Sequence, residues 1–314
     1  MLTPLRIALL AGGTSGERAV SLKGAEEVAR ALDPAKYTVA RYDPATDLAR
    51  LAADANRIDL AFILLHGLHG EDGTVQGMLD LLGIPYQGSG VLGSAIAMDK
   101  NLAKALYRLA GLPVAPWVMA TRADASSPDR ILAALSLPVV VKPVRQGSSI
   151  GMTIARTAGE LSPAIAKAFE HDHEVMVEGF VQGREVTAGV IGNDHLEAMP
   201  LVEIIPGKEH PFFSYEAKYT PGATREICPA DLPEAISRRA KEYGLAAHRA
   251  LHLRGYSRTD MIVSGNDIVI LETNTIPGMT PTSLLPQAAA AFGLPFPKLL
   301  DRLIELALEG HPRR

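Results

Sequence analysis

The stretch RTDMIVSGNDIVILETN, residues 258–274, constrains the fold most, because it predicts two paired strands that carry charged side chains at one end. TDMIV and IVILE are apolar and rich in β-branched residues, and SGND between them is a turn signal. Folding about this turn places Asp260 opposite Glu272. Glu272 and Asn274 are two residues apart and share one face of their strand, and Arg258 points the same way as Asp260. Carboxylates this close repel each other unless a cation lies between them.

This end of the hairpin predicts a metal site. Asp260, Glu272 and Asn274 offer hard oxygen ligands, which suit magnesium. Magnesium in proteins usually keeps several waters and binds substrate phosphates through one or two carboxylates. The pattern therefore predicts a phosphate-bearing ligand, most simply a nucleoside triphosphate. Taken alone, it is equally compatible with a solvent-exposed hairpin that carries acids.

Length and charge narrow the class of protein. The 314 residues predict two domains or three small ones. Lysines and arginines number 31 against 35 aspartates and glutamates, and the net charge of -4 favours neither nucleic acid nor a membrane as partner. The single cysteine, Cys228, excludes an intrachain disulfide framework and fits a reducing cytoplasm. No apolar run approaches the roughly 18 residues of a membrane helix, and the N-terminal run predicts a buried strand rather than a targeting segment.

The first hundred residues alternate between strand and helix patterns. RIALLA predicts a strand, and AVSLKGAEEVARAL predicts a helix with Val20, Leu22, Val28 and Leu32 near one face. DLAFILL predicts a second buried strand, and TVQGMLDLLG another helix. This order is typical of βαβ units with a parallel sheet.

A further helix is predicted over DKNLAKALYRLAG. Asp99 can cap its start, Gly111 ends it, and Leu102, Leu106 and Leu109 form an apolar stripe. GLPVAPW then breaks the chain.

The pattern beyond this helix is α+β. VVVKP, TIAR, HLEAMPLVEI and the two halves of HEVMVEGFVQGREVTAGVIG predict strands, the latter two around a turn. Helices are predicted around 160–170, over LPEAISRRAKEYGLAAHRALH, and twice after the hairpin. We therefore expect an N-terminal α/β domain, a small central lobe and a C-terminal lobe, with bounds 1–98, 99–184 and 185–314.

Two further segments predict a nucleotide site. Lys142 ends a buried apolar strand, where a lysine is costly unless it meets an anion. QGSSIG follows, a loop rich in backbone N–H and hydroxyl donors, and together they suit a phosphate, although no Walker A pattern is present. Lys100 is a second candidate phosphate contact or an ordinary exposed helix lysine. VEGFVQGREVT predicts either an adenosine slot or solvent-exposed acids. The candidate slot residues are Glu178, Phe180, Val181 and Glu185.

These segments carry a resemblance. VVVKP with QGSSIG, VEGFVQGREVT, GYSRTDMI and ILETNTIPGMT look like the ATP-grasp fold. Further blocks resemble those of the D-alanine–D-alanine ligase family, in that family's order, over nearly the whole chain: AGGTSGERAVSL, LHGLHGEDGTVQGMLDLLGIPYQGSG, SAIAMDK, YEAKYTPGATREICPA and PGMTPTSLLPQ. The implied fold is an N-terminal βαβ domain followed by an ATP-grasp fold of two α+β lobes.

The resemblance implies a reaction. A carboxylate is a poor acyl electrophile, so the family uses ATP to convert the first D-alanine to an acylphosphate, which the amine of the second D-alanine attacks. Two magnesium ions, which manganese can replace, neutralise the phosphoryl charge. The product serves peptidoglycan precursor synthesis. The resemblance also implies a cytoplasmic homodimer that pairs through its N-terminal lobe.

Site residues follow from the matching positions. Metal ligands are implied at Asp260, Glu272 and Asn274, and oxyanion stabilisers at Arg258 and the N–H of Gly278. The implied nucleotide contacts are Lys100, Lys142, Ser148, Ser149, Glu178, Phe180, Val181 and Glu185.

The implied first-substrate residues lie near the N-terminus. Glu17 would hold the amino group of the first D-alanine, although a glutamate at a helix start is equally favoured by the helix dipole. His66 matches a family histidine near this substrate. His69 is expected to be a loop residue, and Glu71 and Asp72 to shape the same loop.

The second D-alanine needs a carboxylate site. Ser283 is expected to cap a helix and, with the N–H of Leu284 and the charge of Lys218, to bind this carboxylate. EAKYTPGA suits a lid that excludes water. The family tyrosine at Tyr219 links with residues matching Glu17 and Ser148, and relatives that make D-alanyl-D-lactate carry phenylalanine there.

Four other interpretations compete. They are another ATP-grasp carboxylate–amine ligase, a D-alanyl-D-lactate former, a nucleotide-binding regulator without turnover, and a nicotinamide dehydrogenase. Tyr219 and the YEAKY block disfavour the first two. The set of charged site residues disfavours the regulator, because each charge is costly to hold without a ligand. The dehydrogenase rests only on AGGTSG and the βαβ start, and the missing dinucleotide fingerprint disfavours it.

Overall fold

The structure, a computed structural model, describes residues 3–207 and 224–309. Its first sheet is parallel with the strand order β2-β1-β3, and residue Ala61 of β3 also bridges to Tyr86. The strands are β1 Leu5–Leu10, β2 Tyr37–Tyr42 and β3 Leu60–Ile63. The predicted parallel sheet is confirmed, and β2 is an additional edge strand that the sequence interpretation lacks.

Five helices accompany and follow this sheet, with a short 3-10 turn at Ala55–Arg57. They are α1 Arg18–Ala31, α2 Leu48–Ala53, α3 Thr74–Leu82, α4 Val91–Met98 and α5 Lys100–Leu109. None of the helices in the described part of the chain is both long and apolar enough to span a membrane.

The buried face of α1 agrees only in part with the predicted one. Val28 and Leu32 are buried as predicted, but Val20 is half-buried and Leu22 is exposed. Within the helix, the buried residues Ser21, Gly24, Ala25 and Val28 follow the i, i+3, i+4, i+7 spacing of one face. Small residues occupy most of that face, so hydrophobicity alone identified only part of it.

The predicted leucine stripe of α5 is also wrong. Leu102 and Leu109 are 51% and 84% exposed, and the buried face carries Lys100, Lys104 and Tyr107. Two lysines can lie on a buried face only where anions or carbonyls receive them, and both have such partners here. The expected cap is confirmed, because the Asp99 side chain accepts from the N–H groups of the two residues after Lys100.

The central sheet is antiparallel with the strand order β4-β7-β5-β6. Its core contains residues from the 3-10 turn Arg122–Ala125 and from two helices that pack on it. The strands are β4 Trp117–Ala120, β5 Val139–Pro143, β6 Thr153–Ala155 and β7 Val175–Gly179, and the helices are α6 Asp129–Ala134 and α7 Ala158–Ala168.

The third sheet has six strands in the order β11-β10-β8-β12-β13, with β9 paired to β8. The strands are β8 Arg184–Gly192, β9 Glu197–Ala198, β10 Val202–Pro206, β11 Thr224–Ile227, β12 Gly255–Ser264 and β13 Asp267–Asn274. The sequence places β7 and β8 around one turn, but they belong to different sheets. The turn therefore joins two lobes rather than two paired strands.

The hairpin β12–β13 has the predicted register. Asp260 pairs with Glu272, and Arg258 pairs with Asn274. The register shifts after Asp260, which marks a β-bulge beside the charged end. Strand β8 covers the other edge of β12, so the charged end is held between neighbouring strands.

Three helices complete the described chain: α8 Glu234–Ala250, α9 Leu284–Ala291 and α10 Phe296–Glu309. Helix α10 shares a core with β1 and α1, and α5 packs against α8 and β13. The N-terminal domain is therefore covered by the last helix of the chain. The domain bounds 1–98, 99–184 and 185–314 remain a prediction.

Candidate active site

Two cavities meet at the charged end of the hairpin. Asp260 and Glu272 line the first, with Lys142 on its wall, and we call it the lysine cavity. Arg258 and Asn274 line the second. Because the two cross-strand pairs are two residues apart, one end of the hairpin presents side chains to both cavities. The second cavity also contains three glutamates, described below, and we call it the acidic cavity.

The trio predicted to hold metal is assembled at this boundary. Asp260 accepts two hydrogen bonds from Arg258, both 2.9 Å, and a third of 3.0 Å from the amide of Asn274. Glu272 lies 3.2 Å from the ammonium of Lys100. The described residues contain no cluster of three or more His, Cys, Asp or Glu side chains suited to a metal, and the third member of this trio is an amide. Two carboxylates and one amide fit magnesium that takes its other ligands from phosphate and water.

A buried ion cluster forms part of one wall of the lysine cavity. The Nζ of Lys142 is 2.5 Å from Oε1 of Glu178, and the Nζ of Lys104 is 2.6 Å from Oε2 of the same carboxylate. Burial opposes ionisation of Glu178, but the two lysines outweigh it and lower the pKa of Glu178 to about 2. The anion predicted to meet Lys142 is thus the Glu178 carboxylate in this structure. Lys104, on the buried face of α5, is absent from the sequence interpretation.

The predicted phosphate loop connects the two cavities. Ser148 and Ser149 both have positive φ, at 52° and 58°, a region that side chains other than glycine rarely adopt. Ser149 lines the lysine cavity, whereas Ser148 lines the acidic cavity and donates to Glu17. The backbone carbonyl of Gln146 accepts from Lys100 at 2.8 Å. This loop therefore carries contacts to both sides of the hairpin.

The predicted adenosine residues lie together on the lysine cavity. Phe180, Val181 and Glu185 all line it, alongside apolar side chains from the C-terminal sheet such as Ile262 and Leu271. Since β7 and β8 belong to different sheets, the slot is the cleft between two lobes. An apolar cleft with a few polar anchors suits a planar base and a ribose.

The residues predicted for the first substrate lie in the acidic cavity. Glu17 is buried and directly precedes α1. His66 is buried, and burial lowers its pKa although Glu17 opposes the shift, so the imidazole is neutral near pH 7. A carboxylate beside a neutral imidazole suits an ammonium group.

Glu71 contacts the backbone of its own loop, as predicted, and also makes a contact that the loop pattern did not reveal. Its carboxylate accepts from the backbone N–H of Gly67 at 2.9 Å and from that of Ile276 at 3.2 Å. Burial, helped by Glu17, raises the pKa of Glu71 to about 7. Gly67 follows His66 and Ile276 follows the hairpin, so Glu71 ties together two segments that carry site residues. A glutamate in a glycine-rich loop gives no sequence signal of such a contact.

The other loop residues behave differently. Asp72 accepts from the N–H of His69 at 2.7 Å and of Thr74 at 2.9 Å, which is the geometry of a side chain that shapes a turn. His69 has a φ of 67° and its ring lies 3.3 Å from the hydroxyl of Thr14.

The far wall of the acidic cavity contains Gly278, Ser283 and Leu284. Helix α9 begins directly after Ser283, as predicted, but the Ser283 side chain makes no capping bond. Instead its hydroxyl accepts from the N–H of Thr280 at 3.1 Å and shares a hydrogen bond with the Thr280 hydroxyl. The capping prediction for this side chain is therefore wrong, because a nearer backbone donor occupies it. A Cβ on Gly278 would lie 3.0 Å from the Ser283 hydroxyl, so a larger residue there would press on Ser283.

Glu226 and Gln287 also line this wall and contact each other. Glu226 was not identified from sequence. The predicted lid residues Lys218 and Tyr219 lie outside the described residues.

A cleft between two antiparallel α+β lobes, with lysines and a hydroxyl-rich loop on one side of a carboxylate hairpin, defines a protein of the ATP-grasp class. Comparison with known proteins gives the family. The family model described as D-ala D-ala ligase C-terminus matches residues 106–305, and the corresponding N-terminus model matches residues 41–89. This chain belongs to the D-alanine–D-alanine ligase family.

Relatives match over nearly their whole length. A D-alanine–D-alanine ligase of Syntrophobacter fumaroxidans is 62% identical, covering 97% of this chain and 98% of the relative. One from Desulfotalea psychrophila is 60% identical, covering 97% and 95%. The crystal structure of a Bacillus anthracis D-alanine–D-alanine ligase complexed with ATP is 34% identical, with a TM-score of 0.84 and 98% of each chain covered. The VanG D-Ala:D-Ser ligase of Enterococcus faecalis is also 34% identical, with a TM-score of 0.84, covering 97% of this chain and 100% of that one.

Proposed function

We propose that this chain joins two D-alanine molecules to D-alanyl-D-alanine with conversion of ATP to ADP and phosphate, for peptidoglycan precursor synthesis in the cytoplasm. The observation that carries the proposal is the hairpin register. It directs Asp260 and Glu272 towards the lysine cavity, and Arg258 and Asn274 towards the acidic cavity. A phosphoryl group bound at the hairpin therefore lies between a polyphosphate site and an amino-acid site.

In the first step the acidic cavity positions the first D-alanine. Glu17 binds its ammonium group, and neutral His66 lies beside it without adding a repelling charge. A carboxylate oxygen of this D-alanine attacks the γ-phosphorus, and the bond from phosphorus to the bridging oxygen breaks to release ADP. Lys100 and Lys142 contact the nucleotide phosphates in this proposal. Asp260, Glu272 and Asn274 would hold magnesium, which neutralises the charge on the phosphoryl oxygens.

In the second step the amine of the second D-alanine attacks the acyl carbon. The carbon–nitrogen bond forms, the amine loses a proton, and the carbon–oxygen bond to phosphate breaks. Arg258 and the N–H of Gly278 stabilise the oxyanion, and preorganised donors of this kind lower a barrier by about 3 kcal/mol. Ser283 and the N–H of Leu284, at the start of α9, bind the carboxylate of the second D-alanine.

The lid residues complete the proposal. Tyr219 hydrogen-bonds towards Glu17 and Ser148 when the lid closes, and Lys218 adds positive charge for the second carboxylate. The contact between Ser148 and Glu17 supports this arrangement, because it leaves the two partners of Tyr219 together at the cavity mouth. Closure excludes water, which otherwise hydrolyses the acylphosphate.

We also propose a homodimer that pairs through the N-terminal domain. The exposed leucines of α3 and α4 support it, since Leu81 is 91% and Leu92 is 60% exposed. Light scattering of the purified protein measures the mass directly, and a monomer at micromolar concentration contradicts this part of the proposal.

The activity is tested by ADP release from the purified protein with ATP, magnesium and D-alanine. The proposal predicts release with D-alanine but not with L-alanine, together with a dipeptide detected by mass spectrometry. Release that is equal with D-alanine, L-alanine and no amino acid would reject the proposed function.

A further inference from the structure

Lys104 is the most deeply buried charged side chain near the site. Its residue exposure is 0%, and its Nζ donates to Oε2 of Glu178 at 2.6 Å. The ring of Trp117 lies 5.6 Å from the same nitrogen. Among the described residues, those that line the lysine cavity include Lys142 and Glu178 but not Lys104. Lys104 therefore reaches the site only through Glu178.

The strand order explains how one carboxylate receives two lysines. Glu178 lies on β7, and its neighbours across the sheet are Trp117 on β4 and Val140 on β5. Lys142 approaches from the β5 side, two residues beyond Val140, and faces the cavity. Lys104 approaches from α5 past the Trp117 ring. Each lysine occupies a different oxygen of the carboxylate, so either can leave without displacing the other.

The charges give this arrangement a consequence. With both lysines protonated, the two lysines and Glu178 carry one net positive charge. If Lys142 turns towards a nucleotide phosphate, Glu178 keeps Lys104 as its partner. Without Lys104, the same movement would leave a buried carboxylate with no counter-charge, which is strongly unfavourable. Glu178 would then compete with the phosphate for Lys142.

We propose that Lys104 is a positioning residue of the nucleotide site, which holds Glu178 so that Lys142 is free to exchange from Glu178 to a nucleotide phosphate. The inference rests on the proposed function in one respect, namely that Lys142 contacts the nucleotide. It adds a role for a residue that has no contact with substrate.

The test compares nucleotide binding by the wild-type protein and the Lys104→Met variant in isothermal titration calorimetry. We expect the variant to bind Mg-ATP about tenfold more weakly, because Lys142 spends most of its time on Glu178 and apparent affinity falls by the fraction of the competent state. Adenosine has no phosphate, so its affinity should change by less than about twofold. Unchanged ATP affinity, or an equal loss for ATP and adenosine, overturns the proposal, since a collapsed slot weakens both ligands.

A control and a double variant sharpen this test. Lys167→Met removes an exposed lysine of the same lobe and should leave both affinities unchanged. In a Glu178→Gln background, Lys142 has no carboxylate to leave, so adding Lys104→Met should alter ATP affinity by less than about twofold. A full tenfold loss in that background contradicts the proposal.

A second measurement does not depend on whether the variants fold. A crystal structure of the wild-type protein with ADP and magnesium should show the Lys142 ammonium on a phosphate oxygen and Lys104 still on Glu178. Lys142 retained on Glu178, with Lys104 turned to the nucleotide, overturns the proposal. If the wild-type protein binds no Mg-ATP, the proposed function itself fails, whereas binding that is equal in wild type and Lys104→Met rejects only the role of Lys104.

Discussion

The two cavities beside the hairpin share a wall but differ in the groups that they offer a ligand. The lysine cavity presents Lys100 and Lys142 together with acids that include Asp260 and Glu272, whereas the acidic cavity presents Glu17, Glu71 and Glu226 together with Lys23 and Arg258. The lysines suit a polyphosphate, and Glu17 suits an ammonium group. In the proposed function the hairpin therefore separates two kinds of ligand, and only a phosphoryl group contacts both sides.

The boundary is where opposite charges are paired. Asp260 is bound by Arg258, and Glu272 by Lys100, so each carboxylate of the hairpin already has a cation. In the proposed function, Asp260, Glu272 and Asn274 would hold magnesium in place of part of this pairing, and Arg258 would then be available to the acidic cavity. Substitutions at this boundary and within either cavity should therefore affect different ligands.

Removing one charge from the boundary should have the largest effect. Glu272→Gln keeps the shape of the side chain but weakens magnesium binding, and we expect turnover to fall by at least about a thousandfold. Steady-state ADP release measures the loss, and circular dichroism checks that the fold is intact. Glu242→Gln, an exposed change on α8, is the matched control. Activity within about tenfold of wild type would show that the metal site is elsewhere.

Within the acidic cavity, Glu17→Gln should mainly affect the first amino acid. Loss of a buried carboxylate that faces an ammonium group should raise the KM of the first D-alanine by roughly thirtyfold. The dependence of rate on D-alanine concentration separates the two amino-acid sites, and calorimetry reports Mg-ATP affinity. Glu26→Gln, exposed on the same helix, is the control. A loss of ATP affinity of the same size would mean that the cavities do not divide the ligands.

The lid is expected to influence the choice of second substrate. Tyr219→Phe should raise the use of D-lactate relative to D-alanine by about tenfold, because the hydroxyl no longer takes part in the closed site. Competition between the two acceptors at neutral pH, with products resolved by mass spectrometry, gives the ratio. An unchanged ratio removes Tyr219 from the account of specificity.

The smallest effect concerns the way in which Glu71 makes the free energy of unfolding depend on pH. Its pKa rises from 4.5 to about 7 on folding, so between these values the folded protein binds more protons than the unfolded chain. The free energy of unfolding therefore falls as pH rises through this window, and the penalty is complete above pH 7.

Glu71→Gln should remove this dependence. The difference in melting temperature, variant minus wild type, should be about 3 °C larger at pH 8 than at pH 5. Both proteins are measured without metal or nucleotide. A constant difference across that range contradicts the raised pKa.

Sequence patterns predicted those parts of the site that lie within one local element. The register of Asp260 against Glu272 followed from the turn SGND, because a hairpin fixes its own pairing. The start of α9 after Ser283 and the cap at Asp99 were equally local.

Contacts between distant segments were not predictable in this way. The stripe on α5 failed because the burial of Lys100 and Lys104 depends on groups far along the chain, including Glu178. Glu71 bonds to Gly67 within its loop, as its predicted role requires, but its contact with Ile276 was missed because that partner is 205 residues away. Hydrophobic periodicity contains no information about a buried charge whose partner comes from another lobe.

The central claim is that the hairpin passes a phosphoryl group from the lysine cavity to a carboxylate in the acidic cavity. The most direct measurement uses D-alanine labelled with ¹⁸O in its carboxyl group. The account predicts that each phosphate released with dipeptide contains one labelled oxygen, because the acyl carbon–oxygen bond breaks in the second step. Dipeptide formation with unlabelled phosphate, or with AMP and pyrophosphate as products, would contradict it.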